Sequence, residues 1–562
     1  MYSCDKDFLD RTPLDQISDP DFWTSETDLE LYLNNFYDLF DGWWVAGGGK
    51  APTYDQGTDL ALPTPNAYGG DWTNRLDGVI TIPASGGSWN WGSVRRINYF
   101  LENVDRVESA SDQVDHYVGE GHFFRAWFYF ELFRNFGALP IITKSLNADD
   151  VDILYGPRNP RTEVADFILA DIDMAIAKMK YGSELANHKT RLSKDIALMF
   201  KARVALYEGT WEKYHAGSDF GGTGDPNAYL AMARDAAKQI IDDGNYSLVT
   251  GDPNSVYFDL FNQVDYTANQ EVLFFKHFDG PTYGSNFSNQ LWNWPNGYGI
   301  TLDMTRFYLC TDGLPTAVSP LFEGDETLDI LEKNRDPRLV QSVMVPGDIR
   351  RIMDGDTTYY LNPDVYNNGT GIESQKYRHI VVDPAVGPNN TNVDYIFMRY
   401  AEALLMYAEA KAELGEITQG DIDMTINQLR DRVGMPHLNM GSITTDPNWP
   451  DYGHSITDVL QEIRRERVTE LYGEGFRFDD LMRWRSHQYF YGKRFIGTKY
   501  TDELRAIDDG MPESDDGFLD PMRYILTGPN SGYGFNSNRD YLLPIPSNEL
   551  ILNPALGQNP GW

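Results

Sequence analysis

Two kinds of residue in this chain could do chemistry. The first is charge: "QEIRRERVTELYGEGFRFDDLMRWR", residues 461–485, is so dense in Arg and Glu that it reads either as an acid/base site or as an ion-paired scaffold. At 100° per residue Ile456, Val459, Leu460, Ile463 and Leu471 form one apolar arc, with Arg467 inside it and Glu470 beside it, so the two are expected to form a buried pair. Such pairs serve enzymes, and they also fix how elements dock. The second kind is aromatic. Trp43, Trp44, Trp72, Trp89 and Trp91 crowd the first hundred residues, and Tyr283, Trp292, Trp294 and Tyr298 lie in "TYGSNFSNQLWNWPNGYG". Exposed aromatic faces stack on the C–H surfaces of sugar rings while neighbouring amides bond the hydroxyls, and both stretches interleave Trp with Asn.

Other chemistries lack their residues. None of the nine histidines forms H-E-x-x-H or H-x-H, and two cysteines, Cys4 and Cys310, cannot build a disulfide framework or a cysteine-rich zinc site. Cys310 reads as a small buried hydrophobe. No G-x-S-x-G elbow or G-x-G-x-x-G turn is present, and "GGGK" at 47–50 is followed by Ala and Pro instead of the Ser/Thr and helix of a P-loop. The aspartates of "AIDDGMPESDDG" do not match a calcium-binding loop. No cofactor is expected. The 84 acidic residues include many possible glycosidase pairs, but no spacing locates one. Against 47 basic residues they give a formal charge of −37, which opposes nucleic acid and anionic lipid as direct partners.

The elements that must position these residues are mostly helical. "TSETDLELYLNNFYDLF" opens on a Thr/Ser cap and spaces Leu29, Leu33, Phe36 and Phe40 along one face. Residues 41–91, rich in Gly, Pro and Trp, read as long surface loops. Helices are expected over about 92–107, 113–136, 161–180, 194–214 and 228–242, and in 194–214 Ala197 and Ala205 leave room for a neighbouring helix. The recurrence of helix, turn, helix suggests degenerate tetratricopeptide-like helical-pair repeats over about 92–243. A second set is expected over 394–488, where "DYIFMRYAEALLMYAEAKAELG" reads as one helix and "DIDMTINQLRDRVG" as its antiparallel mate. Residues 245–393 form a large loop-rich insertion with a few short strands. Repeats flank the insertion on both sides, so residues 24–562 are read as a single domain behind a leader, residues 1–23.

In this setting Trp89 and Trp91, at the mouth of a helix, read as core. Trp72, Trp292 and Trp294 read as binding residues, since Gly, Asn and Pro neighbours indicate loops; packing is the rival reading. No window offers the roughly 18 apolar residues of a membrane span. Cys4 stands in "MYSCDKDFLDRTP", the look of a bacterial lipoprotein just after its signal peptide, and a lipid there would tether the body at a reach of at most about 70 Å.

The chain resembles the SusD/RagB family of outer-membrane lipoproteins. The likeness rests on "CDKDFLDRTP", "RRINYFLENVDRV", "FRAWFYFELFRNFGALPIIT", "ADFILADIDMAI", "ALMFKARVALYEGTWEKYH", "FMRYAEALLMYAEAKAELG", "RRERVTELYGEGFRFDDLMRW" and the ending "YLLPIPSNELILNPALGQNPGW", in that order. It implies a mostly α SusD-like fold with four tetratricopeptide-like units, a cell-surface position in the outer membrane through lipidated Cys4, and a SusC-like TonB-dependent transporter as partner. It further implies a non-catalytic protein that captures glycans, or less often peptides, for import, with residues 461–485 as scaffold. The family's binding loops carry no fixed motif, so only position transfers. Trp72 with Asn74 and Arg75, and Trp292 with Trp294, Tyr298 and Tyr283, are the candidates, with Trp43 and Trp44 beside them. Arg75 suits the carboxylate of an acidic sugar or serves as a plain donor.

Overall fold

The computed structural model describes residues 22–40, 42–43, 55–63, 71–108, 111–280, 284, 298–382 and 392–562. Ser25 starts the first helix, α1 (Glu26–Tyr37): its hydroxyl accepts the Asp28 N–H, and the Asp28 carboxylate accepts the Ser25 N–H at 2.8 Å. The helix buries Leu29, Leu33 and Phe36. A short strand, β1 (Ala61–Pro63), and a short helix, α2 (Asp71–Leu76), follow. Then come α3 (Gly92–Asn103), α4 (Asp112–Phe136), α5 (Val151–Leu154), α6 (Arg161–Lys178), α7 (Lys194–Tyr214) and α8 (Pro226–Asp243).

The long helices pack each on the next: α3 on α4, α4 on α6, α6 on α7, α7 on α8. Helix α4 is buried nearly all round, with Phe123, Phe124, Phe130, Phe133 and Phe136 inside the main core. Close approach of α7 to α8 depends on Gly209, where a Cβ would sit 2.8 Å from the Leu230 side chain. Among the described residues no helix is long and apolar enough to cross a membrane.

The insertion contributes β2 (Val272–Lys276), β3 (Tyr298–Ile300), β4 (Ile349–Met353), β5 (Asp356–Tyr359) and β6 (Val381–Val382); β7 (Tyr395–Arg399) closes it. Strand β1 pairs with β3, β2 with β7, and β4 lies between β5 and β6. After β7 the chain forms α9 (Tyr400–Glu413), α10 (Gln419–Met424), α11 (Ile426–Arg432), α12 (Asp458–Leu471), α13 (Arg477–Arg483) and, near its end, α14 (Ser547–Leu552). Helix α9 packs on α8 and α12, so the second helical set continues the first.

Three expectations are corrected. The helix read from residue 394 begins at Tyr400, because the "YIFMR" run pairs antiparallel with "VLFFK" of β2 as strand. Its mate is broken in two at Thr425, whose backbone (φ −125°, ψ −84°) is not helical. Residues 55–63 are no surface loop: Asp55, Thr58, Asp59, Leu60, Ala61 and Leu62 are all buried.

Helix α12 carries the charges of the 461–485 segment inward. Arg467 and Glu470 are both buried, as expected, but they do not pair with each other. Arg467 Nε donates to Asp480 at 2.8 Å, toward α13. One turn on, Glu470 accepts from Arg338 (3.0 Å), Arg399 (2.7 Å) and Arg432 (2.7 Å). Arg399 ends β7 and Arg432 ends α11, and both also reach Glu271, next to β2. The insertion and the helices are thus clamped by shared carboxylates.

On the other side of α12, Glu409 of α9 accepts from Arg483 at 2.7 and 2.8 Å and from the Trp484 indole at 2.8 Å. Burial would raise this carboxyl, but Arg483, Arg467 and Arg464 outweigh it and hold it at about 2, against 4.5 ordinarily. A carboxyl depressed on folding stabilises above its unfolded pKa, so the contribution is present above about pH 4.5 and is lost as pH falls toward 2. Glu409→Gln is expected to remove on the order of 3 kcal/mol at neutral pH and to flatten the stability profile over that window, as read by urea unfolding at stepped pH.

Candidate functional site

The two aromatic-rich stretches are far apart in sequence, and the fold joins them twice. The first junction is the β1–β3 ladder, which sets Ala61 opposite Ile300, Leu62 opposite Gly299 and Pro63 opposite Tyr298. Opposed residues in such a ladder lie about 5 Å apart. The second junction is at Trp43, whose indole N–H donates to the Val393 carbonyl at 2.8 Å and whose ring meets Tyr395 edge-on at 4.7 Å. Beside it, Asp394 accepts the Phe278 N–H at 2.8 Å and lies 3.0 Å from His277 Nδ1. Burial pushes the Asp394 carboxyl up to about 6, against the opposing pull of His277 and the Phe278 N–H. The chain after Trp43 and the chain after Phe278 therefore depart from one place, and a second meeting point lies at the ladder, where Pro63, preceding the segment with Trp72, pairs with Tyr298, which follows the second stretch.

The floor beneath the ladder is ionic. Arg477, buried at the start of α13, donates Nε and Nη2 to the two oxygens of Asp59 at 2.8 and 2.7 Å, and Nη2 also reaches the Tyr452 hydroxyl at 3.2 Å. The Thr301 hydroxyl donates to the Asp59 carbonyl, and its N–H to the Leu60 carbonyl at 3.1 Å. Asp55 accepts the backbone N–H groups of Gly473 (2.6 Å) and Arg477 (3.2 Å), and burial still pushes its carboxyl up to about 6. The 461–485 segment is thus the scaffold that holds the base of the first loop, the role its family resemblance implies.

Helix α2, which carries Trp72 and Asn74, is seated by Gly57. There φ is +85°, and a Cβ would lie 2.1 Å from Thr73 Cγ2. Gly57→Ala is expected to cost about 1–3 kcal/mol through backbone strain, with further loss as α2 is pushed off its seat; a thermal melt reads it directly.

The candidate residues fall into three groups. Trp43 and Arg75 are buried, at 1% and 3% exposure, and are corrected from ligand contacts to positioning residues. Arg75 donates to the Asp540 carbonyl at 2.7 Å and to the Tyr541 carbonyl, over the Phe478 ring, so its guanidinium is committed inside the protein. Burial draws its pKa down to about 10. Trp72 and Asn74 lie on α2, and Tyr298 opens β3 at the ladder's rim. Trp44, Tyr283, Trp292, Trp294 and Cys4 lie outside the described residues. Trp89 and Trp91 are half-buried against the main core. The sequence reading missed Asp59, Asp394 and Thr301; the one local signal for Asp59 is the pair of aspartates in "DQGTD", inside a stretch read as surface loop.

Comparison with known proteins places this geometry. A SusD family profile matches residues 270–562, more than half of the chain. A second profile, described as starch-binding associating with outer membrane, matches residues 87–206. A SusD-like protein of Formosa agariphila is 26% identical over 505 residues, covering 86% of this chain and 88% of its own. One from Bacteroides ovatus is 24% identical, covering 99% and 95%. Among solved structures, a SusD-like carbohydrate binding protein from Bacteroides fragilis superposes with a TM-score of 0.73 at 22% identity, covering 95% of this chain and 99% of that one. Surface glycan-binding protein A from Bacteroides uniformis gives 0.60 at 19% identity, covering 95% and 99%. With its mostly helical architecture and a family profile spanning more than half its length, the chain belongs to the SusD family.

Proposed function

We propose that this protein is a non-catalytic, cell-surface glycan-binding lipoprotein, anchored through Cys4, that captures oligosaccharides and passes them to a SusC-like TonB-dependent transporter. The observation that carries the reading is the double junction: Trp43 and Phe278 both bond to the Val393–Asp394 segment, and Pro63, which precedes the segment with Trp72 and Asn74, pairs with Tyr298, which follows the stretch with Trp292 and Trp294. Residues 24–562 act as one domain in this account, supported by the buried carboxylates that tie the insertion to the helices. The ligand contacts are Trp72, Asn74, Trp44, Tyr283, Trp292, Trp294 and Tyr298, with the aromatic rings stacking on sugar faces. The acidic surface favours a neutral glycan, since a polyanion would meet a charge of −37 on approach. The names of the Bacteroides fragilis and Bacteroides uniformis proteins agree with carbohydrate as the ligand class.

The test is native electrophoresis through gels containing single polysaccharides, neutral and acidic. Retardation by a neutral glycan supports the proposal. Retardation by none, with capture from a peptide library instead, would move the protein to the peptide-binding branch of the family.

A further inference from the structure

The surface is also broken by a cleft of about 620 Å³ between the N-terminal end of α3, the helix α5 and the C-terminal helix α14. Its size is that of a small-molecule site. The walls are fixed by the protein itself. The Asn553 amide donates to the Leu154 and Gly156 carbonyls at 3.2 and 2.8 Å, which ties the α5 side to the end of α14. Another wall, Pro140 and Ile142, is braced by Tyr129, whose hydroxyl accepts the Ile142 N–H at 2.6 Å and donates toward the two carbonyls at 3.2 Å. Trp89 and Trp91 meet edge-to-face at 5.3 Å, with Trp89 held on Phe136 at 4.8 Å and Trp91 on Tyr129 at 5.9 Å, so two indoles stand fixed in the lining. Tyr155, 59% exposed, supplies a third ring at the rim.

We infer that this cleft is a second carbohydrate-binding site, built on residues other than those of the two loops, and that it takes a neutral saccharide with Trp89, Trp91 and Tyr155 against its C–H faces and Glu549 and Asn147 on its hydroxyls. The polar groups decide between a sugar and an apolar occupant. Among the described residues, the Glu549 carboxylate, the Asn147 side-chain amide, the Tyr155 hydroxyl and the two indole N–H groups have no hydrogen-bond partner. An apolar ligand would strip water from these groups and return no hydrogen bond, whereas sugar hydroxyls pair with acceptors and donors alike. Charge selects a neutral one. Lys144 is neutralised by Asp150, and Arg95, one nitrogen of which is committed to the Leu146 carbonyl, is matched by Glu549, so the lining holds no surplus charge to recruit an ion of either sign. No residue of the β1–β3 ladder or of the junction at Trp43 and Asp394 lines the cleft. Two sites on one molecule hold a long glycan more tightly than either alone when the chain reaches both.

The test is retardation of the full chain in gels containing starch, galactomannan or, as the charged probe, polygalacturonate. Three variants run beside it: Tyr155→Ala/Glu549→Ala in the cleft, Trp72→Ala/Trp292→Ala/Trp294→Ala in the loops, and the two sets combined. Tyr155 is exposed and Glu549 is half-buried and unpaired, so the cleft variant should melt with the intact protein. It should bind the neutral glycan at least about fivefold more weakly, having lost one ring and one ionic acceptor, and the combined variant should lose what the loop variant retains. Undiminished retardation of the folded cleft variant would overturn the inference and leave the loop proposal standing. A loss there beside an undiminished loop variant would keep the cleft and overturn the loop site instead. Stronger retardation by polygalacturonate than by either neutral glycan would overturn the neutral assignment, and retardation by none of the three would overturn both sites.

Discussion

Glu470→Ala is expected to destabilise the protein by about 3–5 kcal/mol, the cost of removing one partner from a buried ion cluster. The carboxylate is fully buried and accepts from Arg338, Arg399 and Arg432, which arrive from three separate parts of the chain. Burial would raise its pKa, but those three guanidiniums outweigh burial and hold it well below the usual carboxylate range, so it remains ionised at any pH where the protein is used. Without it, Arg399 and Arg432 compete for Glu271, and Arg338 falls back on Asp336 and Glu466. A urea-unfolding midpoint reads the loss. A change below about 1 kcal/mol, the value of a surface pair, would contradict the clamp.

Arg477→Ala is the second large effect, and it reaches function as well as stability. Asp59 would be left with a buried carboxylate and no guanidinium, again at about 3–5 kcal/mol. Asp59 stands two residues before β1, so the ladder that holds Pro63 to Tyr298 loses its footing, and glycan retardation should weaken in whatever fraction stays folded. Arg477→Lys keeps the charge but not the two-pronged contact, so it should recover part of the stability and less of the binding. Loss of stability with undiminished retardation by the folded protein would show that the ladder's base does not shape the site.

How much of this could be read from the sequence depended on how local the cause was. The helix 194–214 was legible to the residue because its apolar period and its small residues are carried within one segment. The helix expected from 394 failed because "YIFMR" finds its partner more than a hundred residues away, and such pairing leaves no local trace. Arg467 and Glu470 were correctly read as buried, since a helical wheel shows which face a residue occupies. Their partners were misread because the wheel says nothing of the elements packed on that face, here Asp480 on one side and three arginines on the other. The site behaved the same way. Trp72 and Asn74, expected on a loop, lie on helix α2, and Arg75 looked like a ligand contact beside Trp72 until the C-terminal carbonyls of Asp540 and Tyr541 closed over it.

The central claim is that the two loops form one glycan site. It is tested most directly by retardation in polysaccharide gels of the intact protein beside Trp72→Ala and Trp292→Ala/Trp294→Ala. Aromatic ring contacts are worth on the order of 0.5–1.5 kcal/mol each beyond their area burial, so the double variant, which removes two rings, should lose binding by about tenfold with an unchanged melting temperature, and Trp72→Ala should weaken the same glycan. Retention of full retardation by both folded variants would contradict the account and place the ligand elsewhere on the protein.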